Sequence, residues 1–371
     1  MRLNIKAIAA VCATVISAQA EGPSVNFNGY LDADAWADMK GGYYANSELD
    51  LGLTVTFTDK VCAHVYATVN NVYSSSGGSV PAGIGNPSER WINFAFDGYD
   101  ITYASKIGTF TVGDIVYQYG KFNYYFYKRF SMITNESFSR GIKYGIGNDL
   151  IATELQIGVS DIDIADTSYD KFTTGDMQGM TRIAFNENHS VSAFYGIRGT
   201  SQLEFKTGTD FFTGLEYNGT VGNVAKVKFD LGYQSIHAAD TGSKRANVVS
   251  LLLEPSLTLG KFSLAMTGYT MIDPDSANNE SSKIFTGIGD EWFVYAEPGI
   301  SFNDYLGVGL PIEYHGMDAQ NNDDDQFWLV PTFYVYPTKD VQWWIWGQMI
   351  KYVEKGADLG WAAGSEIIVT F

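Results

Sequence analysis

The chain has 371 residues, 45% hydrophobic and 15% aromatic but only 18% charged, with a formal net charge of −18. That acidic balance excludes a nucleic-acid partner, which needs a basic face, and the aromatic content excludes a disordered chain. With two cysteines, Cys12 in the leader and Cys62 beyond it, no internal disulfide can form in the processed chain, and no segment after residue 20 approaches the ~20 apolar residues of a membrane-spanning helix.

Residues 1–20 carry Arg2 and Lys6, then an apolar run from Ala7 to Ile16, then Ala18-Gln19-Ala20. This is the order of a secretory signal, so the mature chain is expected from Glu21 to Phe371 as a single domain. Cys12 follows Val11, which is larger than the small residue that precedes a lipid-modified cysteine, so a lipid anchor is the weaker reading. The 24 basic side chains, less Arg2 and Lys6, against 42 acidic ones move the net charge to −20.

After the leader the sequence repeats with period two. In Asn28 to Asp38, NGYLDADAWAD, one face carries Tyr30, Asp32, Asp34, Trp36 and Asp38, and the other Leu31, Ala33, Ala35 and Ala37. Leu49 to Phe57 and Val61 to Val69 alternate in the same way around Thr58-Asp59-Lys60, which predicts a hairpin with one apolar face and with Glu48, Asp50 and Tyr66 on the polar one. Further short turns are expected at 147–149, 186–189, 219–223, 260–261, 303–304 and 337–340. Longer connections are expected near 39–47, 74–88, 120–138, 161–178, 199–210, 236–246, 272–290, 316–325 and 353–358. Between Arg90 and Tyr119 both Asp97-Gly98 and Gly108-Thr109 have turn chemistry, and using one of them gives about 18 strands, with 16 as the alternative and both termini at the short-turn end. Pro255, Pro298 and Pro331 sit in three similar late hairpins and read as bends, since proline cannot donate to a ladder. Trp343, Trp344, Trp346 and Trp361 read as members of aromatic girdles.

The chain closes on LGWAAGSEIIVTF, with Leu359, Trp361, Ala363, Ile367, Val369 and Phe371 on one face. With the leader and the unbroken alternation, this final strand resembles the Gram-negative outer-membrane β-barrel porins. The fold expected is therefore all-β, a transmembrane antiparallel barrel; a soluble sandwich is the competing fold, but 351 residues without a linker do not favour it. The resemblance implies a bacterial outer-membrane location, periplasmic termini, and Ile367, Val369 and Phe371 as the signal read by the barrel-assembly machinery. It implies contact with outer-membrane lipid and lipopolysaccharide, small hydrophilic solutes as cargo and, as one option for assembly, a homotrimer.

Inside such a barrel Asp32, Asp34 and Asp38 would line the lumen with Tyr30, Trp36, Glu48, Asp50 and Tyr66. The connection 120–138 resembles in position the third loop that folds inward in porins, which would set Lys121, Lys128 and Arg129 against that acidic wall as a constriction. The alternatives are a surface loop and acids that only solvate the interior. NNDDDQ at 321–326 and DPDSANNE at 273–280 lack EF-hand spacing and read as solvated tips, so no metal is expected. His64, His189, His237 and His315 form no ligand pair, and no nucleophile elbow appears. No cofactor or enzyme activity is expected. The reading is a channel for small hydrophilic solutes, cation-preferring or saccharide-selective; the alternative is a plugged adhesive barrel that binds surface ligands through its loops.

Overall fold

A computed structural model describes residues 23–38, 42–74, 91–117, 137–160, 174–199, 209–237, 245–272, 291–316, 325–354 and 356–371. The leader assigned to residues 1–20, the acidic tip 273–280 and Lys121, Lys128 and Arg129 lie outside the described residues.

The strands run β1 Ser24–Asp38, β2 Tyr43–Thr58, β3 Val61–Ser74, β4 Trp91–Ser105, β5 Gly108–Tyr117, β6 Ser137–Gly147, β7 Ile151–Ser160, β8 Thr174–Asn186, β9 His189–Gly199 and β10 Thr209–Val221. They continue as β11 Ala225–His237, β12 Arg245–Leu259, β13 Phe262–Ile272, β14 Glu291–Asn303, β15 Leu306–Gly309, β16 Ile312–Gly316, β17 Gln326–Leu329, β18 Thr332–Thr338, β19 Val341–Tyr352 and β20 Leu359–Thr370. Pairing is antiparallel, and β1 pairs with both β2 and β20, so the sheet closes on itself. Closure leaves no edge for another chain to extend.

Two of the transits are interrupted. β14 pairs with both β15 and β16, and β19 with both β17 and β18, so each couple is one crossing of the wall and the barrel has 18 strands. The breaks fall at Leu310-Pro311 and Val330-Pro331. Proline has no N–H to give, and here the bonds run one way: Leu310 donates to the Pro298 carbonyl at 3.0 Å, Val330 to Pro311 at 2.9 Å and Gly347 to Pro331 at 3.1 Å. The bend expected at Pro331 is thus a break, a second one lies at Pro311, and Pro255 and Pro298 leave their strands continuous.

The ambiguous stretch after Arg90 resolves at Ser105–Gly108, where the Ser105 hydroxyl donates to the Gly108 carbonyl at 2.7 Å. Asp97-Gly98 is no turn. Tyr66 pairs with Gly98 and Ala67 with Phe96, so Asp97 is the extra residue of a β-bulge, with Gly98 at a φ of 137°. The first long connection is shorter than expected, because β2 already starts at Tyr43. Asp38 makes that possible: its Oδ1 accepts from the Gly42 N–H at 2.7 Å, and its own N–H donates to the Gly42 carbonyl at 2.9 Å.

Alternation decides which face is inside. On one face large apolar side chains stand open, among them Ile92 at 62% and Phe96 at 58% exposure. On the other face polar side chains are buried: Gln156, Gln178, Ser192, Asp230, Ser250 and Glu313 are at 3% or less. A soluble sheet protein would cover the apolar face. A closed barrel set in lipid exposes it and turns the polar face inward.

Candidate functional site

The inner wall is built by register. Asp32 stands opposite Glu48 on β2 and Ile368 on β20, and Asp34 opposite Asn46 and Glu366. Four carboxylates thus gather over three neighbouring strands. Tyr30 donates to Asp32 Oδ2 at 3.3 Å. On the next strands Asp50 accepts from the Thr68 hydroxyl at 2.7 Å, within reach of Asp97 at 2.6 Å from the same hydroxyl, and Tyr66 donates to Asp100 Oδ2 at 3.4 Å. The His64 ring bonds Asp100 Oδ1 through Nδ1 at 2.8 Å. Asp38 shares the inward parity, but its carboxylate closes the turn to Gly42.

Aromatic rings fill the spaces between these acids. Trp36 stacks on Tyr44 with centroids 5.7 Å apart. On its other side lies Gly364, where a Cβ would fall 2.5 Å from the Trp346 ring and 2.7 Å from Trp36 Cβ, so this glycine lets two indoles approach across β20. Lower on the same wall Trp344 meets Tyr334 edge-on at 5.6 Å, and Tyr334 stacks on Tyr336 at 6.2 Å. Trp344 and Trp346 therefore face inward, not into the outer girdle expected of them; Trp343 and Trp361 keep the outward parity, at 39% and 46% exposure. The run WWIW hides the alternation because both parities are apolar.

Glu297 completes the acidic side, accepting from the Tyr295 hydroxyl at 2.5 Å and also from the Tyr334 hydroxyl. From β14 through β20 and on to β4, no inward strand position carries lysine or arginine among the described residues. The opposite wall differs. Lys143, Arg182, Lys226 and Lys228 take inward positions on β6, β8 and β11, beside Glu154, Glu216, Asp230 and Glu254. Lys228 Nζ lies 3.2 Å from Asp230, 3.6 Å from Glu216 and 3.9 Å from Glu254. Positive charge faces the acidic wall here from the strands themselves, which the sequence reading missed. The signal was present: each of these four residues stands at a polar position between outward neighbours, as Lys228 does between Val227 and Phe229.

On the final strand, Ile367 and Val369 point outward opposite Ala33 and Leu31. Phe371 exchanges two backbone bonds with Gly29, at 2.8 and 3.1 Å, and its ring covers Gly29, where a Cβ would fall 2.3 Å from the ring. Among the described side chains the histidines are not gathered: His189 bonds the Tyr217 hydroxyl at 2.9 Å, and His315 is buried against Phe293. Among the described residues no cluster of His, Cys, Asp or Glu is arranged to hold a metal. Asp325, from the second acidic tip, is buried and accepts from the Tyr314 hydroxyl at 2.8 Å, a structural contact.

No protein-family profile and no curated protein sequence matches the chain. Solved structures do. Acinetobacter baumannii OccAB1 superposes with a TM-score of 0.61 over 96% of this chain and 99% of its own, at 9% identity. Pseudomonas aeruginosa OpdK, solved with vanillate, gives 0.60 over 94% and 98% at 10% identity, and OpdL of the same organism gives 0.57 over 94% and 98% at 13%. The chain therefore has the 18-stranded barrel fold of these outer-membrane proteins of Acinetobacter and Pseudomonas.

Proposed function

We propose that the chain is an outer-membrane channel for small hydrophilic solutes that prefers cations. The observation that carries this reading is the asymmetric inner wall: Asp32, Asp34, Glu48, Asp50, Glu297 and Glu366 on one side without a basic neighbour at an inward strand position, and near-balanced charge on the other. In a water-filled lumen with low-dielectric walls, such a distribution makes the potential negative and orients dipolar solutes across the path. The outward apolar belt supports residence in the outer membrane, with the termini and short turns on the periplasmic side and lipid and lipopolysaccharide around the belt.

In this reading Tyr30, Asp32, Asp34, Trp36, Glu48, Asp50 and Tyr66 line the path, and Asp38 shapes its rim. Lys121, Lys128 and Arg129 add to the positive side if the 120–138 connection folds inward. Ile367, Val369 and Phe371 present the final strand to the assembly machinery, and a homotrimer is one arrangement of the finished barrel. Purified protein in planar bilayers should give discrete conductance steps in potassium chloride. A membrane that stays silent at protein levels shown to insert would favour a plugged, adhesive barrel.

A further inference from the structure

Near the short-turn end of the acidic wall lies a pocket of about 290 Å³, lined by Glu297, Tyr334, Tyr336 and Trp344 and floored by glycines. The glycines create its space. Gly299 and Gly307 belong to the lining, and a Cβ at Gly299 would fall 2.5 Å from the Ser263 hydroxyl; beside the lining, one at Gly309 would fall 2.6 Å from Glu297 Oε1 and 2.8 Å from the Tyr334 ring. The volume is at the small end for a ligand site. Its charge is one-sided, since Glu297 is the charged residue of the lining. The Tyr334 phenol directs its proton to Glu297, as does Tyr295, so the carboxylate and the phenol lone pairs offer acceptors, and the rings of Tyr334, Tyr336 and Trp344 offer π faces. Glu366 stands across from Trp344 in the register and adds a second negative charge nearby.

We propose that this pocket binds a small quaternary ammonium ion, a cation without a carboxylate of its own. Aromatic faces attract such an ion through their quadrupoles, and the Glu297 carboxylate supplies the counter-charge. A zwitterion fits less well, because its carboxylate would meet Glu366 and Asp34 and no inward lysine or arginine on the described strands of this wall. A neutral saccharide offers the Glu297 carboxylate no counter-charge. The inference rests on the channel reading only for its placement beside the solute path.

Choline is the probe. Isothermal titration of the detergent-solubilised barrel should show saturable choline binding, at least about tenfold weaker in both Glu297→Gln and Trp344→Leu, the scale of one charge-assisted or cation–π contact. A heat-modifiability gel shows whether each variant is folded; Tyr336→Leu replaces either that is not. In bilayers, choline added on the short-turn side should interrupt the potassium current in a concentration-dependent way. Choline binding without any conductance in the parent would remove the channel reading and keep the site. Absence of choline binding in the parent, equal binding in folded variants, or glucose binding as tightly as choline would overturn the proposal.

Discussion

At Gly113 the backbone has a φ of 139°, and a Cβ there would fall 2.2 Å from the Tyr99 carbonyl oxygen on β4. Both the dihedral and the contact exclude a side chain, since neither atom is at the flexible end of anything. Gly113→Ala should therefore cost about 1–3 kcal/mol in the urea-unfolding free energy of the refolded barrel; parent-like stability would show that the β4–β5 pairing relaxes freely. Gly222 and Gly260 also have positive φ, but with open space around the missing Cβ, so they serve turns and not packing. Single residues were also where sequence reading was weakest. Asp97-Gly98 has hairpin-turn chemistry, yet the same freedom at positive φ serves a bulge, and only the pairing of Tyr66 and Ala67 across the ladder separates the two. Trp344 and Trp346 were misread because apolar residues fill both parities around them, whereas the shared parity of Asp32, Asp34 and Asp38 was legible because alanine and leucine separate them.

On the paired strands β5 and β6, an ion pair occupies the apolar face. Asp114 and Arg140 follow the outward parity of Val112 and Ile142, both more than half exposed, and join through Nε–Oδ1 at 2.7 Å and Nη2–Oδ2 at 3.0 Å. Gly98 makes room beneath them, since a Cβ there would fall 2.6 Å from Asp114 Cβ, and the Tyr99 N–H donates to Asp114 at 3.2 Å. The bulge and the pair are one device. Asp114→Ala leaves an unpaired guanidinium toward lipid, which costs up to ~2–4 kcal/mol at the midplane, whereas the double change with Arg140→Ala should recover most of that loss. A double-mutant cycle on unfolding in lipid vesicles measures it, and additive losses would mean that the two groups do not stabilise each other. Alternation itself is checked on β2: spin labels at Leu51, Leu53 and Val55 should report lipid and labels at Asp50, Gly52 and Thr54 water, and six equal environments would contradict a barrel wall. That period was readable because turn residues and apolar faces agree in nearly every hairpin. The strand breaks were only half readable, since Pro331 was seen as a bend and Pro311 was not.

Closure of the whole barrel depends on the seam between β1 and β20, where Phe371 bonds Gly29 through both backbone groups and lays its ring over the space a Cβ would take. Gly29→Val or deletion of Phe371 should leave unassembled protein in the periplasm, and normal amounts of heat-modifiable barrel in the outer membrane would show that the seam tolerates the loss. Architecture was legible from sequence because lipid and water impose one rule on every strand; the distribution of charge around the lumen was not, because it depends on which strands face each other across the barrel. Cation preference follows from that distribution, and the reversal potential in a potassium chloride gradient tests it most directly. The parent channel should show cation preference, and the Asp32→Asn, Asp34→Asn, Asp38→Asn triple variant, in which asparagine retains the acceptor that Asp38 offers to Gly42, should show less of it, with the difference shrinking as salt shortens the Debye length below ~10 Å. Anion preference in the parent, or an identical reversal potential in the triple variant, would contradict an acidic wall along the path.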